Sequence, residues 1–160
     1  MSQENVENAP MRLESTVTIV RPPDDVWEFI ADPMNDPKWC EKVVSVEQVG
    51  GDGPGLGAKY RVLHRPKPLK PATELAMEVV EFDHPHRMRL REEDEDAVFN
   101  IAYELEPTGR DTRVSQIDEI DWKISKLALP LARVMVRRDL RRQFESLKHL
   151  LESENADSVS

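Results

Sequence analysis

Cysteine is nearly missing: Cys40 is the only one in 160 residues, so no disulfide can brace the chain from within. Long apolar runs are missing too. The longest, Leu127–Val136, is broken by Pro130 and Arg133 and is too short to span a bilayer. There is no cationic excess: 22 Lys and Arg face 31 Asp and Glu, a net charge of −9. Such a molecule repels phosphate backbones and anionic membranes, so nucleic acid is not expected as a partner. The arginines that do gather, Arg137, Arg138, Arg141 and Arg142, suit the solvated face of a helix. The first residues, MSQENVENAP, have neither the basic start nor the apolar core of a secretory signal. A cytoplasmic protein with no integral membrane segment is the expectation.

Catalytic signatures are scarce as well. No GxSxG, HExxH, P-loop or paired-cysteine zinc motif occurs. Gly55-x-Gly57 precedes a strand pattern, not a helix, so it cannot cradle a phosphate. His84 and His86 flank Pro85, but a turn between strands accounts for both. No metal and no cofactor are expected.

What is present suits one domain of ordinary size with a sizeable core. Residues 1–11 and 153–160 carry few large apolar side chains and are expected to be disordered tails around a domain over 12–152. Arg12–Arg21 alternates as a strand, and Pro22-Pro23 ends it. Asp24 and Asp25 open a helix whose apolar face is Val26, Trp27, Phe29 and Ile30, and Asp32-Pro33 stops it. A second short helix is expected over Asp36–Glu41. Five further strands follow: Val43–Val49, Leu56–His64, Thr73–Phe82, Arg87–Arg91 and Val98–Leu105, with the last at Thr112–Trp122. The acidic run Glu92–Asp96 reads as a solvated turn.

The remainder, Ile124–Glu152, reads as a helix. Leu140, Phe144, Leu147 and Leu151 share one face, and Leu127–Val136 is apolar nearly all round, which predicts burial on all sides there. Pro130 either kinks the helix or marks its start. Strands joined by short turns pair antiparallel, so the fold class is α+β: a seven-stranded curved antiparallel sheet around a long C-terminal helix, with two short helices after the first strand.

Several stretches carry a family likeness. The opening Arg21-Pro22-Pro23-Asp24-Asp25-Val26-Trp27-Glu28-Phe29-Ile30-Ala31-Asp32-Pro33 resembles that of the START-like, or SRPBCC, superfamily. Trp39, Gly55–Tyr60, Gly109–Val114 and Leu147–Glu152 agree with it, and the resemblance covers about residues 12–152. That superfamily includes polyketide cyclases and aromatases, lipid-transfer domains and the birch-pollen allergen type. The resemblance implies a helix-grip fold with an apolar cavity between helix and sheet. It says less about activity, because one fold hosts many.

On that basis the expected ligand-binding residues are Tyr60, Met77, Met88, Phe99, Ile101, Tyr103, Leu127, Leu131 and Met135. The strand members share the apolar phase, and methionine adapts to varied ligands. Weak catalytic candidates are His64, Tyr60 and Arg61, none with an evident orienting partner. Gln116 and Asp118 would be ligand-orienting polar groups if they face inward, and Asn100 fits the outer surface. The proline-rich loop Arg65–Pro71 is either a gate or an ordinary hairpin loop. Three functions compete: binding of an apolar small molecule such as a lipid or polyketide, a polyketide cyclase or dehydratase-type enzyme, and a protein-interaction module. The first is favoured because no acid–base constellation is evident. The partner expected is a hydrophobic small molecule, with the oligomeric state open.

Overall fold

Alternation of apolar side chains organises the chain into a curved sheet. The structure, a computed structural model, describes residues 10–157. Its strands are β1 (Met11–Ile19), β2 (Val43–Gly50), β3 (Lys59–His64), β4 (Thr73–Asp83), β5 (Arg87–Glu93), β6 (Ala97–Thr108) and β7 (Asp111–Trp122). Among the described residues they form one antiparallel sheet in the order β1-β7-β6-β5-β4-β3-β2. Between β1 and β2 lie α1 (Pro23–Ile30) and a short 3₁₀ helix, Pro33–Lys38. The long helix α2 (Leu129–Asp157) closes the chain. This is the helix-grip architecture.

Two local devices set the register. Gly109 takes a φ of +69° in the two-residue turn between Thr108 and Asp111, the conformation a tight hairpin asks of its first central residue. In β4 a bulge between Val79 and Glu81 shifts the phase. Leu75, Met77 and Val79 face inward before it, and Phe82, opposite Met88, faces inward after it. Phe82 there meets Trp27 of α1 edge-on, with ring centroids 5.2 Å apart. That contact seats α1 on the sheet rim.

One stripe of α2 faces the sheet. Leu140, Phe144, Leu147 and Leu151 are buried, and Leu129, Ala132 and Val136 extend the stripe onto a satellite cluster of Met11, Leu13 and Ile120. The far end is fastened to β1 and the loop after it. Lys148 Nζ donates to the Thr18 carbonyl at 2.6 Å, the Val20 amide donates to Glu152 Oε1 at 3.0 Å, and Arg21 Nη1 donates to the Leu151 carbonyl at 2.9 Å.

The structure corrects several expectations. The stretch before Leu140 is not buried on all sides: Leu127 is 93% exposed, Leu131 66% and Met135 47%. The sheet covers one side of α2, and no other described element covers the opposite side. Pro130 sits in the first turn of α2, where its missing N–H costs nothing, and so marks the start. Met11 belongs to β1 and is buried, and α2 continues to Asp157, so neither tail begins where expected. The rest of those tails, residues 1–9 and 158–160, lies outside the described residues. The short helix runs over Pro33–Lys38, not Asp36–Glu41, because Asp32 caps it by accepting from the Met34 amide at 3.0 Å. Finally, Glu92 is not in a solvated turn: β5 extends through Glu93.

Candidate functional site

The inner face of the sheet is apolar with a polar centre. On β7 the inward residues are Thr112, Val114, Gln116, Asp118 and Ile120, all buried. On β5 they are Met88, Leu90 and, one step further on the same phase, Glu92. Cross-strand register aligns Glu92 with Phe99 and Met77, Asp118 with Ile101, and Gln116 with Tyr103. The 3₁₀ helix adds Asp36, whose backbone carbonyl accepts from the Cys40 amide at 2.8 Å and so presents Trp39 and Cys40 inward. Phe144 of α2 stacks on Trp39, with ring centroids 6.5 Å apart, and Trp39 meets Tyr103 edge-on.

Gln116 Nε2 donates to both carboxylate oxygens of Asp118, at 3.1 and 3.2 Å. Burial nonetheless outweighs that bond and raises the Asp118 pKa to about 6. Glu92 is raised to about 7, first by burial and then by repulsion from Asp118. Asp36 is pushed well above the usual carboxylate range by burial, then by Glu92, with Trp39 opposing the shift. Burial, with Cys40 and the three carboxyls, also raises Tyr103 far up. These groups sense one another across the concavity. Tyr60, raised by burial and by Asp32 and Asp36, keeps its hydroxyl buried without a hydrogen-bond partner among the described residues.

The expected residues divide. Tyr60, Met77, Met88 and Tyr103 are buried on the inner face, and Phe99 and Ile101 are partly buried there. Leu127, Leu131 and Met135 stand apart from them on the exposed side of the chain. Arg61 is at the surface, paired with Glu47 and Glu74, both at 3.2 Å. His64 is half-buried, and burial followed by Lys42 lowers its pKa, so it is neutral near pH 7. Asn100 lies on the outer face, in a shallow cleft with Arg87, Arg89 and Glu119. Leu69 of the proline-rich loop is fully exposed. His84 rests edge-on against Trp27, its Nε2 3.9 Å from Asp24. Among the described residues no group of three or more His, Cys, Asp or Glu side chains is arranged to hold a metal ion. The sequence reading missed Glu92 and Asp36. The phase Met88-Leu90-Glu92 was the available signal for the first; nothing local announced the second.

Comparison with known proteins decides the family. Residues 10–152 match the model described as polyketide cyclase / dehydrase and lipid transport. The chain belongs to that family. Its fold is shared with a START superfamily protein from Mycobacterium smegmatis, at 12% identity and a TM-score of 0.75 over 89% of this chain and 97% of that one. A protein from Thermus thermophilus gives 17% identity and a TM-score of 0.75, covering 90% of this chain and 99% of the other. The di-domain ARO/CYC BexL from the BE-7585A biosynthetic pathway gives 16% identity and a TM-score of 0.70, over 87% of this chain and 45% of BexL. No curated protein sequence matches. Family and fold together point to hydrophobic ligand binding or to a polyketide cyclase-like activity, and no helix among the described residues is long and apolar enough to cross a membrane.

Proposed function

We propose that this member of the polyketide cyclase / dehydrase and lipid transport family binds an apolar small molecule, of lipid or polyketide character, between the inner sheet face and α2. One observation carries the reading. Phe99, Ile101 and Glu92, near the middle of the inner face, remain only partly buried, while the residues around them on β3, β4 and β7 are fully covered. The centre of a sheet under a packed helix should be the most covered place in the domain. Here α2 approaches closest at β1, on one edge of the sheet. Tyr60, Met77, Met88 and Tyr103 are packed beside this centre on the inner face. The acidic chain with one buried thiol is placed in the cytoplasm on this reading.

The test is a filled variant. Ile101→Trp should remove uptake of the neutral apolar dye Nile red while keeping stability within about 1–2 kcal/mol, because open space accepts volume that a packed core rejects. A variant that takes up dye like wild type would defeat the reading.

A second reading, an enzyme of the cyclase or dehydratase type, gains from one observation. Glu92 at about 7 and Asp118 at about 6 can exchange protons near neutral pH, and they share the face with Tyr103. Of the two, Glu92 is the group that the sequence did not disclose. Turnover of a linear poly-β-ketone substrate, abolished by Glu92→Gln with binding retained, would favour this reading over simple binding.

A further inference from the structure

The polar inventory inside the grip is lopsided. Asp118 and Gln116 are buried, and Glu92 and Asp36 are shielded enough that burial is the main cause of their raised pKa values. All four present oxygen acceptors. The Gln116 amide turns its NH₂ to Asp118, which leaves Gln116 Oε1 buried with no donor among the described residues. A buried acceptor without a donor is costly unless something else completes it.

No protein cation does so. Among the described residues the buried polar ones are Thr112, Gln116 and Asp118, with no Lys or Arg. Lys42, at the near edge, is held by Asp139 of α2. Arg87, Arg89 and Arg91 point to the outer face, where Glu81, Glu104 and Glu93 take them. The donors around the cluster are neutral: the hydroxyls of Tyr60 and Tyr103, the Cys40 thiol and the Trp39 indole. Carboxylates buried without a cation must stay protonated or meet one from outside.

We propose that the grip takes a hydrophobic amine, with its protonated nitrogen held by Asp118 and Gln116 Oε1 in the field of Glu92 and its apolar body over Phe99 and Ile101. An ammonium carries three donors, enough for Gln116 Oε1 and the Asp118 carboxylate, while Glu92 adds its charge nearby. An anionic ligand, such as a fatty acid, would add a further negative group beside the carboxylates of Asp118 and Glu92. This deepens the binding reading above and rests on it: it names the charge of the head group.

The test compares ligands of one chain length and three charges: n-octylamine, n-octanol and octanoate, each displacing Nile red from the full chain at about pH 8, where Glu92 and Asp118 are ionised. Octylamine should compete about tenfold or more better than octanol, and octanoate worst. Glu92→Gln and Asp118→Asn, each checked for fold by circular dichroism, should each reduce the amine's advantage over octanol. Either variant alone suffices if the other does not fold. Octanoate or octanol binding as well as octylamine, or an amine preference untouched by both substitutions, overturns the proposal while leaving a cavity in place. Failure of Nile red and all three ligands to bind overturns the cavity reading with it.

Discussion

Replacing Glu92 by glutamine should stabilise the protein, and only at higher pH. The carboxyl has a pKa of 4.5 in the unfolded chain and about 7 in the fold, the difference arising from burial and then from Asp118. Below about pH 4.5 the group is protonated in both states and costs nothing. Between there and about 7 the unfolded chain releases its proton while the fold retains it, so stability falls as pH rises. Above that, both states are ionised and the full penalty stands. At about 1.4 kcal/mol per unit the penalty is on the order of 3 kcal/mol. Glutamine is neutral throughout and nearly the same shape. Glu92→Gln should therefore match wild type near pH 4.5 and exceed it by about 2–3 kcal/mol near pH 8. In a domain of this size that is a rise in Tm of roughly 5–10 °C. Urea or thermal denaturation at the two pH values measures it. A variant equally destabilised at both, or weaker than wild type at pH 8, would refute the burial of an ionised carboxylate at this position.

Other outcomes follow from the same packing. Leu147→Ala, at a side chain with no exposed surface on the inner stripe of α2, should cost about 2–5 kcal/mol in chemical denaturation. Arg89→Ala should cost no more than about 1 kcal/mol, because its pairing with Glu81 at 3.8 Å is on the solvated outer face. Leu131→Trp, at a 66% exposed position, should leave Nile red uptake as it is, in contrast to Ile101→Trp. A loss of uptake at Leu131 would move the ligand to the outer side of α2.

The strands were legible because period-two alternation is a strong signal when one face is buried: Met88 and Leu90 between Arg87, Arg89 and Arg91 leave no doubt of the phase. The arginines face out as that phase requires, and pair with Glu81, Glu93 and Glu104. The apolar start of α2 was misread because composition tells how greasy a segment is but not what covers it. Only topology shows that the sheet reaches one side of Leu131 and Met135 and leaves the other open. Glu92 was hidden by its neighbours: within the run Glu92–Asp96 it looks like solvated charge, and the strand that carries it inward ends one residue later. Asp36 is brought to the sheet by a tight helix whose start depends on the Asp32 cap, a tertiary placement with no periodic trace. Gln116 and Asp118 were visible as polar residues at alternate positions, since their inward phase is that of Val114 and Ile120.

The methionines test the central claim most directly. Met77 and Met88 lie on the floor of the grip, Met34 is on the surface after α1, and Met135 is on the outer side of α2. With ¹³C-methyl-labelled methionine, saturation with Nile red should shift the methyl signals of Met77 and Met88 and leave those of Met34 and Met135 in place. Shifts at Met135 with Met77 and Met88 unmoved would contradict a ligand site between the sheet and the helix.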